Sequence, residues 1–278
     1  MNETVLELKH VTYRYPGAKD PALEDMSLAM SSREKIAILG KNGTGKSTMF
    51  LILNGVIRPE KGQILLDRQV IRDKKSALMH LRKNIGLVFQ DPDDQFIAPR
   101  VFEEISFGAL NAGKTQEEAR ELVEEIIEVL EIDHLKEKSL YSLSGGEKKL
   151  VSIAGVLALE PKIILFDEPT AGLDHVNAER FKEVIDRLYR DRIGLVISTH
   201  DVDFAWEWSE RTLIIKDGKV FADGPSEEIM TDRELMEAAE LKRPYLVEFT
   251  ERIRKGREDA TTYPRSFDEL EKLLETVL

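Results

Sequence analysis

Short apolar runs of strand length alternate along this chain with segments whose apolar residues recur every three or four positions. Residues 5–8, 36–39, 64–66, 85–89, 163–166 and 195–198 are such runs and read as β-strands. Several are apolar throughout, as expected of strands covered on both faces. Their alternation with helical patterns implies a layered α/β core. From about residue 96 to residue 159 the pattern is mostly helical instead. There Thr115-Gln-Glu-Glu118 has capping-box spacing and is expected to open a helix with Leu122, Ile126, Val129 and Leu130 on its apolar face. A second helix is expected after Gly145-Gly146, stopping before Pro161. The segment reads as a helical subdomain inserted into the core.

Beyond Gly224-Pro225 the chain turns helical and charged. Thr231-Asp-Arg-Glu234 and Ser266-Phe-Asp-Glu269 repeat the capping-box spacing, and residues 252–265 read as a polar linker. Leu270, Leu273, Leu274 and Val277 fall on one face of the last helix. Two readings of that stripe are open: it packs on its own domain, or it packs on the same region of a second chain and holds two chains together. The expected division is a main domain over residues 1–225 and a helical appendage over 226–278.

Composition narrows the function. Hydrophobic residues make up 42% and charged residues 33% of the 278, enough for a sizeable core. The chain has no cysteine, which excludes disulfides, thiol catalysis and Cys-type zinc sites. The first ten residues mix Glu, Lys and His with apolar residues, unlike the apolar core of a signal peptide. No run approaches the ~20 apolar residues that cross a bilayer, so a membrane role is expected to act through partner proteins. A net charge of −12 disfavours gripping a nucleic-acid backbone, and no nucleic-acid partner is expected.

A polyanion is nevertheless expected at one local site. Gly40-Lys-Asn42-Gly43-Thr-Gly45-Lys46-Ser47-Thr48 follows the apolar run 36–39 and precedes a helical pattern from Lys46 to Asn54. This is the P-loop arrangement. Gly40, Gly43 and Gly45 let the backbone curl with its N–H groups inward, and the helix start adds partial positive charge. Lys46 is expected on the β and γ phosphates and Ser47 on Mg²⁺; Asn42 and Thr48 complete the expected nucleotide-binding set. The run 163–166 delivers Asp167 and Glu168 at its C-terminal end, where α/β sheets bind ligands. Asp167 suits the magnesium shell, and Glu168, projecting to the other side of the pleat, suits a general base. Alone, the pair also reads as two solvated acids capping a strand.

Leu143-Ser144-Gly145-Gly146-Glu147 lies between these two elements and resembles the signature motif of ATP-binding-cassette (ABC) ATPases. The resemblance runs over roughly residues 5–224. It implies a P-loop ABC-ATPase fold and two chains paired head to tail, each ATP lying between one P-loop and the partner's Ser144, Gly145 and Gly146. The remaining family marks follow in order. Tyr15 resembles the aromatic that stacks on adenine, Gln90 the glutamine that contacts magnesium and the γ-phosphate region, Asp174 in Ala171-Gly-Leu-Asp174 the loop that crosses the dimer, and His200 the switch histidine. The resemblance thus implies Glu168, His200 and Gln90 as catalytic and Ser47, Gln90 and Asp167 as magnesium ligands. The signature departs at Glu147, where Gln is usual, and at Leu150, where many members carry Arg. Glu147 brings negative charge towards a polyanion, yet the Ser144 hydroxyl and Gly146 amide are expected to keep the site active.

Gln90-Asp-Pro-Asp-Asp-Gln95, Asn111-Ala-Gly113 and the tail pieces Leu241-Lys-Arg-Pro244 and Tyr263-Pro264-Arg265-Ser266 resemble the energy-coupling-factor importers, including the CbiO-type cobalt and nickel systems. That branch implies a membrane-embedded coupling subunit, a substrate-binding membrane subunit, a second ATPase chain and a place on the cytoplasmic face of the cell membrane. Its substrate would be cobalt, nickel or a vitamin. Asp91, Asp93 and Asp94 would suit an arginine on a docking helix; the bland alternative is a solvated acidic turn. A soluble ABC ATPase acting on nucleic acid is the competing class, and it lacks here the long coiled coil it would need.

Overall fold

The computed structural model describes residues 4–190, 192–253 and 262–277. Ten strands among them form two sheets. In the smaller, β1 (Thr4–Tyr13), β2 (Leu23–Ser31), β4 (Lys61–Leu66) and β5 (Gln69–Val70) run antiparallel in the order β2-β1-β4-β5. In the larger, β3 (Lys35–Leu39), β6 (Ile85–Val88), β7 (Ile163–Asp167), β8 (Gly194–Thr199), β9 (Arg211–Lys216) and β10 (Lys219–Pro225) lie in the order β10-β9-β3-β8-β7-β6. All neighbours in the larger sheet are parallel except β10 against β9.

Helices cover both faces of the larger sheet, and the strands' period of two decides what each face meets. Ile163 and Leu165 of β7, with Ile36 and Ile38 of β3, join a buried cluster with Met49 and Phe50 of α1 (Lys46–Leu53) and the apolar side of β1 and β2. Ile164 and Phe166 face the opposite way into a cluster with α3 (Val101–Asn111), α4 (Gln116–Val129) and α5 (Gly145–Leu157). Helix α2 (Lys75–Asn84) precedes β6, and α6 (His175–Arg190), after α5, precedes β8. The capping boxes at Thr115–Glu118 and Ser144–Glu147 are both formed.

A third cluster joins Ala37 and Leu39 to α7 (Val202–Trp208), α8 (Ser226–Thr231), α9 (Arg233–Ala238) and α10 (Tyr245–Ile253) through Trp206, Ile229, Met236 and Val247. The segment after Pro225 therefore shares core with the sheet. Its last described helix, α11 (Phe267–Val277), buries Leu270 and half-buries Leu273 and Leu274 within the chain; the Val277 side chain and residues 254–261 of the expected linker lie outside the described residues.

The α/β reading holds, with corrections in detail. The strands β2, β9 and β10 and the short β5 lie where no apolar run was read. For β10 the reason is that it alternates exposed and half-buried positions at the sheet edge, so it never forms an apolar run; β9 instead buries Thr212 to Ile215. The expected capping box at Thr231 does not form. Asp232 caps α9 by accepting from the Leu235 amide, while the Thr231 hydroxyl donates back to the Glu227 carbonyl in α8.

Candidate nucleotide site

Register brings the predicted residues together. Leu39 at the end of β3 lies opposite Thr199 of β8, and Asp167 at the end of β7 lies opposite Ser198. One residue past each of these three strands come Gly40, Glu168 and His200, side by side at the C-terminal edge of the sheet. The chain from Gly40 to Gly45 then curls into α1, and two positions in the curl require glycine. Gly40 has φ +155°, and a Cβ there would meet the Ile215 carbonyl oxygen at 2.4 Å; Gly45 has φ +104°, and a Cβ there would meet the Ala22 carbonyl oxygen at 2.6 Å. No side chain caps α1 and its first turn holds no acidic residue, so its terminal N–H groups stay available to an anion.

A cleft of about 490 Å³ opens over this curl, lined by Tyr15, Asn42, Gly43, Gly45, Lys46, Ser47, Thr48, Gln90, Glu168 and His200. An adjoining cleft of about 730 Å³ shares Ser47 and Gln90 and adds Asp167. Lys46 is buried and its ammonium donates to the Gly40 carbonyl at 2.6 Å and the Lys41 carbonyl at 3.2 Å. Tyr15 stands half-open at the rim, its hydroxyl 3.1 Å from the Thr48 hydroxyl and its ring edge-on to Tyr13 at 5.0 Å.

Glu168 is buried between two partners. One carboxylate oxygen lies 2.9 Å from His200 Nδ1; the other is 3.6 Å from Lys46 Nζ and has no hydrogen-bond partner among the described residues. The direction of Glu168 differs from the sequence expectation. Strand β7 ends at Asp167, and Glu168 adopts φ +42°, so a left-handed turn rather than pleat alternation aims the carboxylate. Such a conformation costs of order 1–3 kcal/mol for a non-glycine residue. Here the Glu168 amide donates to the Ser198 carbonyl at 3.1 Å, helping to hold the turn. Ser198, fully buried, also donates its hydroxyl to Asp167 at 2.5 Å.

The signature residues stand elsewhere in the chain. Ser144, Gly145 and Gly146 line neither cleft. Ser144 caps α5, accepting from the Glu147 amide at 3.3 Å, and Glu147 accepts from the Ser144 amide at 2.7 Å and from Lys138 at 3.2 Å. The Ser144 amide, helped by Lys138, holds the Glu147 carboxyl below the usual carboxylate range. The anomalous charge is thus engaged by its own helix start. Asp174 accepts from the Asn177 amide at 2.8 Å and is likewise outside the clefts.

A third concavity, about 700 Å³, lies between β6, α2, α3 and α5. Met79, Ile97 and Phe107 on its walls are exposed, and Glu104 at its base accepts from the Ile97 and Ala98 amides. Sequence reasoning missed two residues that shape the site: Ser198, which orients Asp167, and Lys149, which donates to the carbonyls of Phe89 and Gln90. Ser198 left a signal, a polar residue in a mostly apolar buried strand; Lys149, in the charged run Glu147-Lys148-Lys149, left none.

The clefts offer oxygens from Ser47, Gln90 and Asp167. Among the described residues no three acidic, His or Cys side chains cluster as a protein-only metal cage. That donor set fits Mg²⁺, which is held by one or two protein oxygens together with substrate phosphates.

The family model for ABC transporters matches residues 23–171. The energy-coupling factor transporter ATP-binding protein EcfA2 of Methanospirillum hungatei is 38% identical over 274 residues, covering 98% of this chain and 69% of that protein. The cobalt import ATP-binding protein CbiO of Rhodobacter capsulatus is 41% identical over 244 residues, covering 88% and 87%. Among solved structures, cbiO1 of Clostridium perfringens, part of a cbiONQ transporter complex, superposes with a TM-score of 0.75 at 35% identity over 90% of this chain and all of that one. A dimeric post-hydrolysis cassette, MJ0796 bound to ADP and Pi, gives 0.71 at 29% identity over 80% of this chain and 98% of that one.

Proposed function

We propose that this chain, which belongs to the ABC transporter family of ATPases, is the ATP-hydrolysing subunit of an energy-coupling-factor importer that takes up cobalt, nickel or a vitamin through membrane partners. The observation that carries the catalytic reading is Glu168: buried in the P-loop cleft, oriented by His200 through one oxygen, with its other oxygen 3.6 Å from Lys46 and without a hydrogen-bond partner among the described residues. A carboxylate so held has one lone-pair face left to accept a proton from an attacking water. His200 fixes that carboxylate and senses the γ-phosphate.

Lys46 and the first-turn amides of α1 bind the β and γ phosphates, Tyr15 stacks on adenine, and the rest of the P-loop wraps the phosphate chain. Ser47, Asp167 and Gln90 would hold Mg²⁺, which when bound offsets phosphate charge. Ser144, Gly145 and Gly146 serve the nucleotide of a second ATPase chain, and Asp174 stands at the crossing between the two. The 490 Å³ cleft without any signature residue supports this pairing.

Residues 1–225 form the ATPase unit, residues 96–159 its docking arm and residues 226–278 the appendage. The groove of exposed Met79, Ile97 and Phe107 over Glu104 receives an amphipathic helix of the membrane-embedded coupling subunit, whose companion binds the substrate. No helix among the described residues is long and apolar enough to cross a membrane, which suits a peripheral subunit on the cytoplasmic face. The test is affinity purification of the full chain from native membranes. Membrane subunits should co-purify with it and be lost on Ile97→Asp/Phe107→Asp; recovery with nucleic acid and without membrane subunits would contradict the importer reading.

A further inference from the structure

The least exposed cation among the described residues is Lys149, at 3%. It stands in the second turn of α5, and its ammonium donates to the carbonyl oxygens of Phe89 and Gln90, at 2.9 Å each. In an extended strand, successive carbonyls point to opposite sides. Here two in succession converge on one donor, just where β6 has ended at Val88. The lysine therefore sits at the bend that sends Gln90 into the cleft.

Such a placement is costly. Lys149 is almost wholly buried, and its hydrogen-bond partners are backbone carbonyls only. An apolar side chain would fill the space without desolvating a charge. Further links join the same loop to the same helix: Gln95 donates to the Ser152 carbonyl at 2.8 Å, and Lys148 pairs with Asp93 at 2.6 Å. Both lie farther along the loop; Lys149 alone of the three grips Gln90.

We propose that Lys149 is a positioning residue for ATP hydrolysis: by pinning the Phe89 and Gln90 carbonyls it sets where Gln90 stands in the cleft and ties that position to the start of α5, which carries Ser144, Gly145 and Gly146. The proposal rests on the reading of Gln90 as a contact of magnesium and the γ-phosphate. It makes one side chain the joint between the P-loop end of one nucleotide site and the signature end of the other.

The test is a cycle of steady-state ATPase measurements on the full chain with Lys149→Met, Gln90→Ala and the double variant, each with its melting temperature and ATP affinity. Lys149→Met keeps length and removes every donor. It should lower kcat about tenfold, as a small misplacement in an active site does, with KM for ATP within about twofold. The double variant should fall no further than the worse single variant, because both act through Gln90. Lys149→Gln, with one short amide, should retain intermediate turnover, and it replaces the Met variant in the cycle if that chain fails to fold. Losses that multiply in the double variant, or a fall in melting temperature with kcat unchanged, would overturn the proposal. Full turnover in Gln90→Ala alone would instead remove Gln90 from the reaction, separating failure of the site reading from failure of the Lys149 link.

Discussion

Two helices in this chain begin at glycine-rich motifs, and their first turns are finished in opposite ways. At α1 the N-cap is Gly45, no side chain caps the helix and no acid stands in the first turn. At α5 the N-cap is Ser144, and Glu147 closes the box from the third position. The first start, without a side-chain cap, opens on a 490 Å³ cleft; the second is completed by its own side chains and lines no part of that cleft. An uncapped helix start is stabilised by an anion that replaces the missing cap. A capped one is stable alone and still has a serine hydroxyl to offer. This contrast matches the proposed roles, the open start for phosphate binding and the capped start for presentation to a second chain.

The sharpest way to sharpen that contrast is at the α1 end, with Glu168→Gln. Removing only proton acceptance should lower turnover about 10³-fold while ATP binding persists, since general-base catalysis contributes roughly 10²–10⁴. Turnover near that of the parent protein would remove Glu168 from the base role. Gly45→Ala attacks the open start itself. With φ +104° and a carbonyl 2.6 Å from the new Cβ, the curl must distort, and ATP affinity by calorimetry should fall at least about tenfold.

The α5 end should respond differently. Ser144→Ala removes a cap worth about 1 kcal/mol, so the melting temperature should drop by a few degrees. ATP binding to the P-loop should hold while turnover falls; an equal loss of binding would mean that the two starts are not separate. The smallest effect is expected from Glu147→Gln, because glutamine also accepts from the Ser144 amide: less than about 0.5 kcal/mol at neutral pH. Its pH dependence carries a sign. The folded Glu147 pKa lies below its ordinary value, so its stabilisation is present above the unfolded pKa and is lost as pH falls through the lower folded one. The Gln variant should therefore lose less stability than the parent protein on acidification.

How legible these two starts were from sequence differs too. The P-loop could be read because its chemistry is local: glycines, lysine and serine are contiguous between a strand and a helix. Asp167 and Glu168 were legible as a pair at a strand end, yet the left-handed turn at Glu168 was not, because it depends on hydrogen bonds to Ser198, 30 residues away. The helix start after Gly145-Gly146 was legible from the motif; the capping box at Ser144 and the Lys138 contact that helps absorb the charge of Glu147 came from the structure. Edge strand β10 escaped the pattern because half of its positions meet water. Lys149 escaped because a lysine in a charged triplet reads as solvated until Phe89 and Gln90 are brought to it.

The central claim is that each chain supplies complementary halves of two shared sites. It is tested most directly by mixing a Lys46→Ala chain with a Ser144→Arg chain and measuring ATPase activity of isolated heterodimers. Both lesions then fall in one shared site and the other is intact, so activity should reappear above that of either inactive parent. Heterodimers as silent as the two homodimers would contradict the claim.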